Sequence, residues 1–182
     1  MMRRILNAVT EIALRKLAEL GFRIWEHTGS KPARRAYLRF MGINHGRVFS
    51  TGLGFYVCCR GNLALGDRCW IDSFCRIWNY QSIEIGDDFL AAGGLTLNTG
   101  SHNPINLESS GGPIKIGNRV WCGLNVTILP GVTVGDDVVI AACSLVNKDI
   151  ASNTIVAGVP AHPISELERS ETDRQKVSAL LS

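Results

Sequence analysis

Residues 116–151 read IGNRVW-CGLNVT-ILPGVT-VGDDVV-IAACSL-VNKDIA, which is six consecutive blocks of six residues without a gap. The first position of a block is Ile or Val except at Cys122, and the fifth position is aliphatic except at Ser144. Neither the 3.6-residue period of an α-helix nor the two-residue period of a single strand produces this pattern. A short fixed period predicts a solenoid, in which each repeat buries its apolar residue by stacking on the next coil.

The same phase occurs upstream, as LGDRCW-IDSFCR from Leu65 and as IGDDFL-AAGGLT-LNTGSH from Ile85. A short strand followed by a tight bend, repeated, predicts a prism whose first-position aliphatic residues stack into a continuous core. We expect Gly or Asp at the second and third positions to serve bends that need a positive φ or a side-chain hydrogen bond. Between residues 98 and 113 the rhythm stops for polar and turn-forming residues that surround a histidine.

Composition limits the chain to one domain with a short additional element, because 182 residues with 46% hydrophobic content bury one sizeable core. The chain is too long for a disulfide mini-scaffold, and its cysteines lack the CxxC spacing of a zinc site. We therefore predict reduced thiols in a cytoplasmic protein, most of them small core residues. The six cysteines are Cys58, Cys59, Cys69, Cys75, Cys122 and Cys143.

The N-terminal segment is basic and has the apolar spacing of an amphipathic helix over residues 5–24. Glu11, Arg15 and Lys16 interrupt the apolar stretch, so we predict neither an export signal nor a membrane span. Residues 1–47 carry ten Lys or Arg and three Glu, a net charge of +7. This charge fits peripheral contact with an anionic membrane surface, or a helix that covers the solenoid with a solvated basic face. We favour the cover, and we expect no nucleic-acid binding because no recognised motif accompanies the charge.

The hexapeptide blocks resemble those of the hexapeptide-repeat acyltransferases, whose signature is an aliphatic residue, Gly, two variable residues, a small residue and another variable one. The resemblance implies an all-β solenoid, a left-handed parallel β-helix of triangular section with three hexapeptides per coil. That hand is opposite to the usual one for parallel crossovers. The resemblance covers about residues 60–165, and residues 114–161 are similar nearly throughout to the sugar and exopolysaccharide O-acetyltransferase branch.

The domain organisation expected from these patterns has three parts. Residues 1–47 form a basic helical segment, residues 48–165 form the β-helix with an inserted loop at 98–113, and residues 166–182 form a short C-terminal helical tail.

Acetyl transfer from a thioester to a hydroxyl needs a base for the hydroxyl proton, donors for the developing oxyanion, and alignment of both substrates. Of the four histidines, His27, His45, His102 and His162, only His102 leaves a coil beside a cluster of Gly, Ser, Asn and Pro. The stretch TGSHNP also resembles the family loop that carries the catalytic base. We assign that role to His102, with a solvated histidine that caps a turn as the alternative. Residues 98–113 would fold over the acceptor.

The resemblance also implies that coenzyme A lies in a groove between neighbouring subunits of a homotrimer, with three shared sites. It places Lys148 near the phosphates, Trp121 beside the thiol end of the pantetheine arm, and Ala142 and His162 along the cofactor path; an ordinary packing tryptophan is the alternative for Trp121. Asn79 is expected near the acceptor. Relatives usually read Gly-Ala-Gly-Ser where this chain has Ala-Ala-Cys-Ser at residues 141–144, which adds bulk beside that path.

The function predicted from the sequence is acetyl-coenzyme A-dependent O-acetylation of a sugar hydroxyl, in surface-polysaccharide biosynthesis, without a metal. An amino-sugar or xenobiotic N-acyltransferase would use much the same coils, and a non-catalytic scaffold would tolerate loss of His102. A γ-type carbonic anhydrase needs three histidines on zinc, but His45 and His162 are far from His102 in the sequence.

Overall fold

The computed structural model describes residues 30–182 and, in addition, Ala13, Lys16, Leu17 and Leu20. The helix predicted for residues 5–24 therefore lies almost wholly outside the described residues. Across residues 30–182 the chain forms two α-helices, α1 (Lys31–Phe40) and α2 (Glu171–Leu180), and eighteen short β-strands.

Three parallel sheets form the sides of the prism. Sheet A contains β3 (Leu63–Leu65), β6 (Ile83–Ile85), β11 (Ile114–Ile116) and β14 (Thr133–Val134). Sheet B contains β1 (Phe49–Thr51), β4 (Cys69–Ile71), β7 (Leu90–Ala91), β12 (Trp121–Cys122), β15 (Val138–Ile140), β17 (Thr154–Gly158) and the antiparallel β18 (Ala161–Glu166). Sheet C contains β2 (Tyr56–Val57), β5 (Arg76–Trp78), β8 (Thr96–Asn98), β13 (Thr127–Ile128) and β16 (Leu145–Val146). A separate antiparallel hairpin consists of β9 (Gly100–His102) and β10 (Ser109–Gly111).

The chain visits the sheets in the order A, B, C in every coil, so each coil has an A–B corner, a B–C corner and a C–A corner. First-position aliphatic residues point into the prism and stack there, as the six-residue pattern predicts. Fifth-position residues are also buried, which closes the core at the corners. The buried first-position residues of sheet A are Leu65, Ile85, Ile116 and Val134.

The A–B corner explains the Gly-Asp pairs of the sequence. The Asp87 carboxylate accepts the backbone N–H of Asp67 one coil below at 2.7 Å, and Asn118 does the same for Asp87 at 2.8 Å. A Cβ on Gly66 would collide with the Asp87 carboxylate, so glycine is required for close approach. The expected side-chain hydrogen bond is thus present, whereas the positive φ falls on the fourth position. At this corner the residues with positive φ are Arg68, Asp88, Arg119, Asp137 and Asn153.

The length of a coil changes along the chain. Lys115 pairs with Thr133, a spacing of 18 residues, but Leu63 pairs with Ile83, a spacing of 20. The three-hexapeptide coil implied by the resemblance therefore applies between β11 and β14 and is wrong for the early coils. The last coil is shorter, because Val138 pairs with Thr154, a spacing of 16 residues. The two additional residues lie at the C–A corner, within residues 79–82, and the hairpin extends the same corner in the next coil.

Helix α1 covers the first coil. Tyr37, Leu38 and Met41 are buried in the continuous core, and the Tyr37 hydroxyl accepts the backbone N–H of Val57 at 3.2 Å. Proline at its first turn and the Ser30 N-cap suit the start of a helix. The described part of the basic segment thus shields the open end of the solenoid from water.

Helix α2 lies along the A–B corners. A capping box of Ser170 and Asp173 begins it, and the Ser178 hydroxyl donates to Asp88 at 2.7 Å near its end. In the part of the chain that the structure describes, no helix combines the length and apolar character needed to cross a membrane.

Candidate active site

The hairpin that carries His102 leaves the prism at the C–A corner and is attached at its base. Gly100 donates its N–H to the Asn98 side chain at 3.0 Å, and Gly112 donates to the Thr99 carbonyl at 3.1 Å. The hairpin occupies the interval predicted as a loop at 98–113, but it is an ordered ladder in which His102 pairs with Ser109.

Two asparagines organise the tip of the hairpin. The Asn103 side chain accepts the N–H of Ile105 at 2.8 Å, and the Asn106 side chain accepts the N–H of Glu108 at 3.1 Å. Asn103 and Glu108 also pair through their backbones at 2.9 Å. These Asx turns hold the backbone that follows His102 in one arrangement.

His102 is exposed, and its Nδ1 atom lies 3.0 Å from the carbonyl oxygen of Leu107. A carbonyl oxygen only accepts hydrogen bonds, so in neutral imidazole Nδ1 carries the proton and Nε2 carries the lone pair. The side chain therefore presents a proton acceptor outward from a held ring. This is the arrangement that a general base requires.

Three of the predicted cofactor residues lie near one another at the B–C corner. Trp121 is 47% exposed on the outer face of sheet B, two residues before Gly123. A Cβ on Gly123 would stand 2.6 Å from the Ala142 nitrogen, so these two backbones touch in adjacent coils. His162 is exposed and pairs with Ala157 of β17, one residue beyond the part of that strand that pairs with β15.

Lys148 lies at a different corner. It is exposed between β16 of sheet C and Ile150, which bridges to Val134 of sheet A, so it stands at the C–A corner. The hairpin leaves this same corner two coils earlier, because Gly112 at its base contacts Gly131.

One chain does not bring the hairpin and the B–C corner together. The outer face of sheet C separates them. In the coil of β13 this face runs from Asn125 at one corner to Gly131 at the other, and both of these residues have a positive φ. At about 3.3 Å per residue, this face is roughly 20 Å wide. His102 and the Trp121 region therefore lie far apart within one chain.

Asn79 does not offer its side chain to an acceptor. It is fully buried, and its amide accepts the N–H of Cys59 at 2.9 Å and donates to the Cys59 carbonyl at 2.8 Å. Both ends of the amide are used inside the C–A corner, so the acceptor contact predicted for Asn79 is not supported by this geometry. The next residue, Tyr80, is exposed beside the hairpin, and sequence reasoning missed it. The available signal was the aromatic pair in WNY, at the position where the repeat loses its phase.

The interior cysteines are unsuited to nucleophilic catalysis. Burial raises the pKa of the Cys69 and Cys75 thiols to about 11, and burial also raises the pKa of Cys122. A protonated thiol is a poor nucleophile. Among the described residues, no group of three His, Cys, Asp or Glu side chains is placed to hold a metal ion.

Comparison with known proteins agrees with the repeat architecture of the fold. The family described as bacterial transferase hexapeptide (six repeats) matches residues 113–148. WbbJ of Escherichia coli K12, named for O-acetyl transfer in lipopolysaccharide biosynthesis, is 35% identical over 149 residues, which are 71% of this chain and 75% of that protein. The galactoside O-acetyltransferase of the same organism is 39% identical over 127 residues, 66% of this chain and 60% of that protein.

Solved structures agree as well. A maltose O-acetyltransferase from Clostridium difficile 630 superposes with a TM-score of 0.79 at 30% identity, covering 87% of this chain and 88% of the other. A hexapeptide-repeat acetyltransferase from Vibrio cholerae, solved with acetyl coenzyme A, gives a TM-score of 0.75 at 28% identity over 86% and 88% of the two chains. The left-handed β-helix implied by the resemblance is thus confirmed, and the chain belongs to the hexapeptide-repeat acyltransferase family.

Proposed function

We propose that this protein transfers an acetyl group from acetyl coenzyme A to a sugar hydroxyl, with His102 as the general base. The observation that carries the proposal is the hydrogen bond between His102 Nδ1 and the Leu107 carbonyl, which leaves Nε2 free to accept a proton. The sugar O-acetyltransferases among its relatives support the acceptor class, and the acetyl coenzyme A complex of the Vibrio protein supports the donor.

The reaction needs one proton acceptor at the hairpin. The acceptor hydroxyl oxygen attacks the thioester carbonyl carbon while Nε2 of His102 takes the hydroxyl proton. The carbon–sulfur bond then breaks, and the imidazolium returns its proton to the leaving thiolate, so the histidine ends neutral. The bond from Nδ1 to the Leu107 carbonyl stabilises the imidazolium between these steps.

The separation of the two half-sites supports a homotrimer. If the hairpin of one subunit meets the B–C corner of the next, His102 approaches the Trp121, Ala142 and His162 region across the subunit boundary. Each subunit then supplies the base to one site and the pantetheine wall to another. Exposed Trp121 would be covered in this arrangement.

We place Lys148 at the phosphates of coenzyme A. Its ammonium is exposed on the C–A corner, in the last coil before the β17–β18 hairpin, where a point charge suits a phosphate.

We propose a cytoplasmic location for this protein. All six cysteines are free, and a reducing compartment keeps thiols in that state. We propose that the basic N-terminal segment, residues 1–47, covers the solenoid, and contact of this segment with an anionic membrane is the alternative. Salt-sensitive binding to anionic vesicles would favour the membrane.

The test is acceptor profiling with acetyl coenzyme A labelled in the acetyl group. The panel contains methyl pyranosides, sugar nucleotides, amino sugars and xenobiotic amines. We expect base-labile O-acetyl esters on a neutral sugar and little product on amines. Transfer restricted to amines contradicts the proposal and favours an N-acyltransferase, and the absence of both transfer and donor binding favours a scaffold.

A further inference from the structure

We propose that Tyr80, supported by Trp78, is the platform on which the ring of a pyranose acceptor stacks beside His102. This inference rests on the proposed function, because it assumes that His102 activates a sugar hydroxyl. It adds a specificity residue and a shape requirement for the acceptor.

Tyr80 owes its position to the longer early coils. The two residues beyond the regular 18-residue coil lie at this C–A corner, and they carry the Tyr80 side chain outward while Asn79 turns inward. The Tyr80 ring stacks on Trp78, with centroids 6.5 Å apart and planes at 22°. Trp78 also contacts Tyr56 at 5.4 Å, so the platform has support on its far side. Tyr80 is nevertheless 55% exposed.

The hairpin brings His102 to the same side as this ring. A Cβ on Gly100 would stand 2.6 Å from Cδ2 of Tyr80, so the side-chain direction at Gly100 points at the ring. Gly100 and His102 are two residues apart in β9, and strand side chains alternate, so His102 projects from the same face. The two Cα atoms are separated by about 7 Å at the usual strand rise.

This juxtaposition matches the shape of a hexopyranose. One face of such a ring presents C–H groups, which carry a small positive charge and pack on the negative π face of an aromatic side chain. Its hydroxyl groups lie around the rim. A ring stacked on Tyr80 therefore directs a rim hydroxyl along β9 toward Nε2 of His102. A few polar contacts around one apolar surface are typical of small-molecule sites.

The packing of the Tyr80 ring also explains why residue 100 is a glycine. Any side chain at position 100 would displace the Tyr80 ring, and the glycine there allows the hairpin to start directly beside it. A purely structural cluster predicts the same packing, so the test needs a measurement that packing alone would not change.

The experiment compares Tyr80→Ala, Tyr80→Leu and the matched control Tyr80→Phe in the full-length protein. The acceptor is a methyl pyranoside that the wild type acetylates, chosen without an aromatic aglycone so that only the sugar ring can stack. We expect the acceptor KM of the Ala and Leu variants to rise about tenfold, with kcat changed less than KM. Tyr80→Phe keeps the ring and should stay within about twofold of the wild type.

Two further measurements make the result specific. The Kd for coenzyme A should be the same in all four proteins, and saturation-transfer NMR should show strong transfer from aromatic protons to the sugar C–H protons only in wild type and Tyr80→Phe. Tyr80→Leu retains apolar packing against Gly100, so it remains informative if Tyr80→Ala is poorly folded.

The outcomes separate this inference from the proposed function. A wild type that acetylates pyranosides, with a Leu variant of unchanged KM, overturns the platform and leaves the proposed function intact. A wild type that acetylates only amines or open-chain alcohols overturns both.

Discussion

The Nδ1 atom of His102 lies 3.0 Å from the carbonyl oxygen of Leu107, five residues farther along the same hairpin. Leu107 has a φ of +57°, and its N–H donates to the Asn103 carbonyl at 2.8 Å. The turn that displays the histidine therefore also selects its tautomer. One short segment outside the packed core therefore sets both the orientation of the His102 ring and the nitrogen that carries its proton.

His102→Ala should reduce turnover by about 10²–10⁴-fold, because a positioned general base contributes that much to proton transfer. Affinity for coenzyme A should stay nearly constant, since the base acts in the transition state. Steady-state kinetics and calorimetric titration check the two parts. His45→Ala is the matched control, because His45 is also exposed and its Nδ1 also bonds a carbonyl, that of Gly46, at 2.8 Å.

A His102→Ala protein that keeps more than about half of its turnover would remove the base from the mechanism. A variant that unfolds would instead favour a structural role for the hairpin histidine.

The protein should be a trimer in solution, because its two half-sites lie on different corners of the prism. Light scattering should give three times the 19.8 kDa of one chain. Co-refolding His102→Ala with a donor-site variant such as Trp121→Ala should restore activity above that of either alone, since some interfaces then receive both intact halves. An active monomer at micromolar concentration contradicts the shared site.

Lys148→Ala should weaken coenzyme A binding by roughly 1–2 kcal/mol, as expected for an exposed charge-assisted phosphate contact. The decisive comparison is with dephospho-coenzyme A. If the ammonium contacts the 3′-phosphate, the substitution matters much less for this analogue, and an equal loss for both ligands places Lys148 elsewhere. Lys115→Ala, on the exposed face of sheet A, is the control and should leave both affinities unchanged.

Protonation of Asp137 at low pH should weaken its ion pairs with the C-terminal tail and destabilise the fold. Its carboxylate lies 2.9 Å from Arg119 and 3.2 Å from Arg169. Burial opposes its ionisation, but the hydrogen bonds from these arginines outweigh burial and hold the pKa of Asp137 below its ordinary value. A depressed pKa stabilises the fold above the unfolded-state value of about 3.9, and this stability is lost as the pH falls through the folded-state value.

Asp137→Asn should therefore lower the unfolding free energy by about 2 kcal/mol at pH 7, and the difference from wild type should shrink below about pH 4. Urea unfolding at several pH values measures both effects. Asp72→Asn removes an exposed carboxylate that bonds its neighbour Ser73, and it should change little. A constant difference between wild type and Asp137→Asn from pH 7 to pH 3 contradicts the assignment.

Cys143→Gly should stabilise the protein by about 1 kcal/mol, because a left-handed backbone is costly for a residue with a Cβ. Cys143 has a φ of +61° at the B–C corner, where Gly54 and Gly94 occupy the equivalent position in earlier coils. The urea midpoint should rise with an unchanged slope. Ala142→Gly, which adds a glycine where positive φ is absent, should instead lower the midpoint.

The sequence by itself determined the prism and its core. Ile85, Ile116 and Val134 recur in one phase, and such a period has few ways to bury its apolar residues other than stacked coils. It also singled out His102, because a polar interruption in a regular repeat has no role in the stack. The family resemblance supplied the left hand, which the period alone does not specify.

Only the tertiary structure decided which side chains face each other across coils. Asn79 and Tyr80 are adjacent and both polar in part, yet one is turned inward to Cys59 and the other outward to Gly100. Their directions depend on the two additional residues of the early coils and on neighbours about 20 residues away, which no local pattern encodes. Likewise, the distance between His102 and the Trp121 region follows from the width of sheet C, because the triangular section sends residues close in sequence to different corners.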